Sequence, residues 1–246
     1  MIMIKINLEN VSHIFQTKAS ETKTLENISF SVNEGEFVSI IGPSGCGKST
    51  ILNLISGLLK LKQGSCSVDG EIGYMLQKDH LFGWRTIFKN CLIGPEIKKM
   101  DIEKSKEYIL DLMRRYELLD FRDYLPHQLS GGMRQRAALI RTLAIKPDVL
   151  LLDEAFSALD SQTRLLVGEN VWKILRREHK TAIFVTHDIA EAIALSDKII
   201  VLSKRPAIVQ KVVELDFNNL SPLERRKDTR FPSYFDYMVK ELKLND

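Results

Sequence analysis

Long apolar runs are missing from this 246-residue chain. No stretch approaches the roughly 20 residues that a bilayer-spanning helix needs, so any membrane role must come through a partner. Met1-Ile2-Met3-Ile4-Lys5-Ile6 is too short an apolar run for a signal peptide and reads as an edge strand. Cysteine is scarce: Cys46, Cys66 and Cys91 are odd in number and share no metal-ligand spacing, which points to reduced thiols in a cytosolic compartment. An excess of one charge is also lacking. The chain has 35 Lys and Arg against 32 Asp and Glu, a formal net charge of +3, which gives no global electrostatic case for nucleic acid. The densest basic run, Arg225-Arg226-Lys227-Asp228-Thr229-Arg230, reads as a solvated turn. Neither an internal repeat nor a low-complexity tract is found, and the length allows one or two domains.

What is present is alternation. Short β-rich runs at Ile4–Leu8, Val11–Phe15, Ile28–Val32 and Phe37–Ile41 are separated by turns, the clearest being Asn33-Glu34-Gly35-Glu36. Ser65–Val68 and Ile72–Leu76 follow as an apparent strand pair. From Thr86 to about Ala144 the texture is helical: Asp101 reads as the N-cap of a helix running to Leu119, Pro126 interrupts, and Ser130 caps the next helix. Continuously apolar strands return at 149–152, 182–185 and 198–202, separated by helices at about 161–178 and 188–195. Such strands imply a parallel sheet covered on both faces, with the helical stretch inserted into it.

Two glycine-rich loops carry most of the chemistry. Gly42-Pro43-Ser44-Gly45-Cys46-Gly47-Lys48-Ser49 matches G-x-x-x-x-G-K-[ST] between a strand and a helix, the context this phosphate-binding motif requires. Its glycines let backbone amides curl around phosphate oxygens, Lys48 supplies positive charge, and the Ser49 hydroxyl suits Mg²⁺. Asp153 and Glu154 end an apolar strand. Adjacent strand residues point to opposite sides, so Asp153 suits the metal shell and Glu154 the attacking water. His187 ends the next strand on the same rim, whereas His13, His80, His127 and His179 read as structural. Leu129-Ser130-Gly131-Gly132-Met133 opens a helix and forms a second anion site, yet there is only one such lysine and one such carboxylate pair. A head-to-tail two-fold pair, each phosphate held between loops of different subunits, resolves the mismatch. Cys46 is either a low-pKa thiol beside Lys48 and inward-facing amides, open to a maleimide, or a buried and inert one.

Taken together these motifs resemble the nucleotide-binding subunit of an ATP-binding cassette (ABC) transporter over essentially the whole length. Walker A falls at Gly42–Thr50, a Q-loop at Gln77, the signature at Leu129–Met133, Walker B at Val149–Glu154, a D-loop at Ser157-Ala158-Leu159-Asp160 and an H-loop at His187. The resemblance implies one α/β ATPase domain. Its P-loop NTPase core and antiparallel β subdomain would span about 1–76 and 145–215, its helical subdomain about 77–144, and its tail 216–246. It implies ATP and Mg²⁺, contacted by the Walker A residues Gly42, Pro43, Ser44, Gly45, Cys46, Gly47, Lys48, Ser49 and Thr50, with Ser49, Gln77 and Asp153 at the metal. Gln77 joins Glu154 and His187 in catalysis, and Ser130, Gly131, Gly132 and Asp160 contact nucleotide. Phe15 takes the adenine-stacking position usually held by tyrosine, or else is a core residue of the β subdomain. Met133 replaces a commoner glutamine. Residues Gln77–Ile87, with Trp84-Arg85-Thr86, resemble importer ATPases for nitrate, sulfonates and taurine, although Gly83 stands where proline is frequent; vitamin uptake stays open. The implied partners are a second copy, a transmembrane permease received near Trp84 (which could equally be a core residue) and, indirectly, a solute-binding protein. The implied place is the cytoplasmic face of the membrane. The rivals are a soluble ABC ATPase of translation or DNA repair and a non-catalytic nucleotide-gated module.

Overall fold

Val149–Asp153 and Thr181–Val185 are buried at every position, and their alternate residues feed two different cores. Leu150, Leu152, Ala182 and Phe184 face one apolar cluster, while Val149, Leu151, Ile183 and Val185 face another. This is the side-chain alternation of strands sandwiched between two layers. The computed structural model describes residues 3–16, 21–217 and 219–243. Its elements run β1 (Ile4–Gln16), β2 (Glu21–Asn33), β3 (Phe37–Ile41), α1 (Lys48–Ile55), β4 (Gln63–Val68), β5 (Ile72–Met75), α2 (Ile87–Ile97), α3 (Ile102–Arg115), α4 (Gly131–Leu143), β6 (Val149–Asp153), α5 (Ser161–Arg177), β7 (Thr181–Val185), α6 (Ile189–Leu195), β8 (Lys198–Leu202), β9 (Val209–Glu214), α7 (Pro222–Arg225) and α8 (Phe231–Lys243).

The main sheet has the order β5-β6-β7-β3-β8-β9, parallel except for the antiparallel edge strand β9. A separate antiparallel sheet has the order β2-β1-β4. β1 therefore lies in the middle of its sheet and is not the edge strand expected from the sequence; Met1 and Ile2 lie outside the described residues. The runs 4–8 and 11–15 are one strand, because bulges between Leu8 and His13 absorb the break without ending the pairing. Nor do 65–68 and 72–76 pair with each other. β4 joins β1, β5 joins β6, and Gly70 makes the crossing at φ 103°, so close to Asp148 that a Cβ would lie 2.7 Å from its side chain.

Helices α2 to α4 fall between β5 and β6. Asp101 caps α3 by accepting from the Lys104 amide at 3.1 Å, and that helix stops at Arg115, with a 3₁₀ turn at Leu119–Phe121. Pro126 sits in the first turn of a second 3₁₀ segment, where its missing N–H costs nothing. The basic run 225–230 departs most from expectation. Arg225 is only 2 % exposed, its guanidinium packed over Phe217 at 5.2 Å and Trp172 at 5.9 Å, and bonded to the Leu220 and Ser196 carbonyls. A planar guanidinium can stack and donate at once, which a count of charges in the sequence does not register.

Candidate nucleotide-binding site

Parallel register brings the motifs to one edge. Asp153 lies opposite Val185 and Ile40 opposite Val185 and Ile200, so β5, β6, β7, β3 and β8 all end at the same rim. From it project Gln77, Glu154, His187, the phosphate loop and Arg205. Open parallel sheets bind ligands outside the carboxyl ends of their strands. A cavity of about 450 Å³ opens there, lined by Phe15, Thr22, Thr24, Ser44, Gly45, Gly47, Lys48, Ser49, Thr50, Gln77, Glu154 and Arg205.

The loop's curvature depends on glycine at identifiable points. Gly45 and Gly47 have φ of 70° and 124°. A Cβ on Gly47 would meet the Leu25 side chain at 2.7 Å, and one on Gly42 the Leu202 carbonyl at 2.9 Å. Lys48 begins α1, is nearly buried, and donates to the Gly42 and Pro43 carbonyls at 2.8 and 2.9 Å. The ammonium is thus held across the mouth of its own loop. Cys46 lies beneath that loop, 1 % exposed, and burial pushes its thiol above the usual range against the pull of Lys48. Of the two readings of Cys46, the buried thiol holds and the lowered, accessible one does not: desolvation outweighs the neighbouring charge. Cys46 is also absent from the cavity lining, as are Gly42 and Pro43.

Asp153 is buried, which raises its carboxyl pKa; the Ser49 hydroxyl bonded to it and the Lys48 charge oppose the rise, while Glu154 adds to it. Glu154 does not continue the strand. Its φ of 47° turns it off the sheet, so the two carboxylates diverge through a backbone turn and not through strand alternation. Glu154 Oε2 accepts from Gln77 Nε2 at 3.0 Å and lies 3.7 Å from His187 Nδ1. Phe15 is 42 % exposed and lines the cavity, with His13 against its edge at 4.7 Å, which removes the core alternative.

The signature loop is elsewhere. Ser130 caps α4 by accepting from the Met133 amide at 3.3 Å, and neither it, Gly131 nor Gly132 lines the cavity that holds Lys48. Asp160 is occupied in capping α5, accepting from the Gln162 and Thr163 amides at 3.1 and 3.0 Å. Two features had no local sequence signal. Arg205 arrives from the β8–β9 connection, which β2 grips through the Glu26 amide to Ala207 carbonyl bond of 2.9 Å, and donates to the Gly45 carbonyl. Gln135, inside α4, accepts from the Ala158 amide at 3.0 Å and reaches the Glu154 carbonyl at 3.4 Å. Nearby, Arg134 pairs with Asp79 at 3.0 Å and Arg141 donates to the Asp79 and His80 carbonyls at 2.7 Å each. Trp84 is 78 % exposed beside Phe82, and Leu76 and Ile97 are also exposed.

A strand-edge phosphate loop, paired carboxylates, a rim histidine and a separate Ser-Gly-Gly helix start define a cassette-type ATPase. The ABC transporter family model matches residues 25–157, and the chain belongs to that family. It is 40% identical over 247 residues to YtlC, an uncharacterized ABC transporter ATP-binding protein of Bacillus subtilis, covering 96% of this chain and 95% of that one. It is also 40% identical over 225 residues to the aliphatic sulfonates import ATP-binding protein SsuB of Bacillus thuringiensis, covering 88% and 87%. Among solved structures, the ATP-binding cassette MJ0796, a dimer in a post-hydrolysis state bound to ADP and Pi, superposes with a TM-score of 0.79 at 32% identity, covering 86% of this chain and 99% of that one.

Proposed function

We propose that this chain is the ATP-hydrolysing subunit of a membrane importer for a small solute, with sulfonates and related anions the favoured class. The observation that carries the hydrolytic reading is Glu154, turned off its strand beside the phosphate loop and held by Gln77 at 3.0 Å with His187 at 3.7 Å. In this reading the amides of residues 44–48 and the Lys48 ammonium take the phosphates, Phe15 takes the adenine ring, and Thr22 and Thr24 line the same wall. Glu154 orients and deprotonates water, Gln77 fixes the carboxylate, and His187 bonds the terminal phosphate or the water.

The residues fit Mg²⁺. Ser49 and Asp153 present neighbouring oxygens and Gln77 reaches the same rim, but no cluster of three or more His, Cys, Asp or Glu side chains suited to a metal occurs among the described residues. A partial set of oxygen ligands suits an ion that arrives with nucleotide phosphates and keeps its water. When bound, it neutralises charge on the transferring phosphate.

The working unit is a two-fold pair in which Ser130, Gly131 and Gly132 of one copy close the cavity of the other. Asp160 would then reach nucleotide from its exposed turn only in that pair. Trp84 and Phe82, exposed and in ring contact at 4.9 Å, form an apolar edge on which a permease helix docks, with the subunit at the cytoplasmic membrane face and a solute-binding protein upstream. No described helix is long and apolar enough to cross a membrane. Import relatives covering most of the chain and this apolar edge favour the importer over a soluble ATPase of translation or DNA repair. The test is Glu154→Gln: ATP binding persists while turnover falls roughly 100-fold or more. Parental turnover in that variant removes the hydrolytic assignment.

A further inference from the structure

Lys48 alone does not balance a polyphosphate. Its ammonium already spends two of its three N–H groups on the Gly42 and Pro43 carbonyls, whereas a nucleotide brings several negative charges. Among the residues lining the cavity there is one further cation, Arg205, and one anion, Glu154. Arg205 comes from the β8–β9 connection, outside every motif of the sequence, and its backbone is set in place from both sides. Ser203 closes the turn: its amide donates to the Ile208 carbonyl at 3.1 Å, and its hydroxyl accepts from the Ile208 amide at 3.0 Å. Ala207 ties the same turn to β2, donating to the Thr24 carbonyl and accepting from the Glu26 amide, both at 2.9 Å. Thr24 is itself part of the cavity wall. The backbone carrying Arg205 is therefore fixed against that wall before any ligand arrives.

The guanidinium is anchored along one edge only. Nε and Nη2 both donate to the Gly45 carbonyl, the Nε bond at 3.2 Å, at a residue whose φ of 70° turns the loop. Among the described residues Nη1 donates to nothing and no carboxylate pairs with the side chain, which is exposed. Fastening the loop would need only a neutral donor. A permanent, unpaired charge on the wall of a cavity that takes an anion goes beyond that task. A planar guanidinium held by one carbonyl keeps donors free for phosphate oxygens, which it meets with shorter and stronger bonds than a neutral group makes.

We propose that Arg205 is a nucleotide-binding residue: held by the β8–β9 turn and the Gly45 carbonyl, its guanidinium supplies the second positive charge for the phosphates of the bound nucleotide. This rests on the nucleotide reading of the cavity. The test is equilibrium binding of Mg-ADP to the full-length chain by titration calorimetry, which needs no turnover. Arg205→Gln raises Kd about 10-fold at low salt, the worth of a charged hydrogen bond to phosphate. The gap to the parent narrows as salt rises from about 0.05 to about 0.5 M, because an exposed charge is screened. Arg205→Lys, which restores the charge without the fork, recovers the larger part of the affinity. A parental Kd in Arg205→Gln overturns the proposal. So does a loss as large at high salt as at low, which marks a fastening of the loop and no more, or an Arg205→Lys that binds as weakly as Arg205→Gln. If the variants do not fold, the nucleotide-bound structure of the parent decides: a guanidinium nitrogen of Arg205 within hydrogen-bond distance of a phosphate oxygen supports the assignment, and one facing away from the phosphates overturns it. A parental chain that binds no Mg-ADP defeats the nucleotide reading itself, whereas parental binding that Arg205→Gln leaves unimpaired defeats only the role of Arg205.

Discussion

The two glycine-rich loops are built on opposite logics. In the phosphate loop glycine is demanded from within: a Cβ at 42 or 47 would collide with Leu202 or Leu25 of the same chain. At Gly131 a Cβ would meet nothing nearer than the Arg134 guanidinium at 3.9 Å, so the fold does not require that glycine. The phosphate loop is shaped by its own interior; in the second loop Gly132 is crowded too, a Cβ there lying 3.2 Å from the Leu159 side chain, but Gly131 leaves space for something outside it. A missing side chain that the fold does not need is evidence about a ligand or a partner.

The harshest test of this contrast is complementation. Lys48→Ala and Ser130→Arg should each lower ATPase activity by roughly 100-fold or more, the first through lost phosphate binding and the second through a blocked partner site. Mixed in equal amounts, they should regain roughly a quarter of the parental rate if subunits exchange freely, since half the pairs then carry one intact site of two. A nucleotide-bound dimer of Glu154→Gln in which Ser130 and Lys48 of the same chain meet one nucleotide contradicts the composite site. Next in size is the glycine contrast itself. Gly42→Ala should destabilise by about 1–3 kcal/mol in chemical denaturation because the Leu202 backbone cannot yield. Gly131→Ala should leave stability within about 0.5 kcal/mol yet slow turnover. Equal stability losses would erase the distinction. Trp84→Ala should also stay within about 0.5 kcal/mol while weakening co-purification with the permease, because a side chain so exposed contributes little to the fold. Smallest is Cys46: in the folded protein at pH 7 maleimide should leave it unmodified, with or without Mg-ATP, as peptide mapping would report.

The motif-bearing half of this architecture was readable because its signals are local. A strand buried on both faces is a run of apolar residues, and a phosphate loop is eight consecutive positions. What escaped was set by pairing partners far along the chain. Nothing in residues 4–16 reveals that β4 will flank β1 on its second side, since the central β1 and the edge strand β2 carry similar mixtures of buried and exposed positions. Arg205 reaches Gly45 across 160 positions, through a connection that β2 grips by backbone bonds that carry no sequence signature. Arg225 was misread because charge counting treats a guanidinium as a solvated point, whereas Trp172 and Phe217 offer it ring faces and Ser196 and Leu220 offer carbonyls. Cys46 was left between two readings because the sequence shows the neighbouring lysine but not the depth, and the buried one holds.

The two arginines that clamp residues 79 and 80 give the apolar edge a mechanical meaning. Asn90 holds the Phe82, Arg85 and Thr86 carbonyls at 3.1, 2.9 and 3.0 Å, and Arg141 and Arg134 fasten the preceding residues to α4. The span bearing Trp84 is therefore a stiff crank keyed to the helix whose first turn carries Ser130. Gln135, on that same helix, reaches the carbonyl of Glu154 at 3.4 Å, so the span bearing Trp84, the helix opened by Ser130 and the turn at Glu154 are joined by side-chain hydrogen bonds.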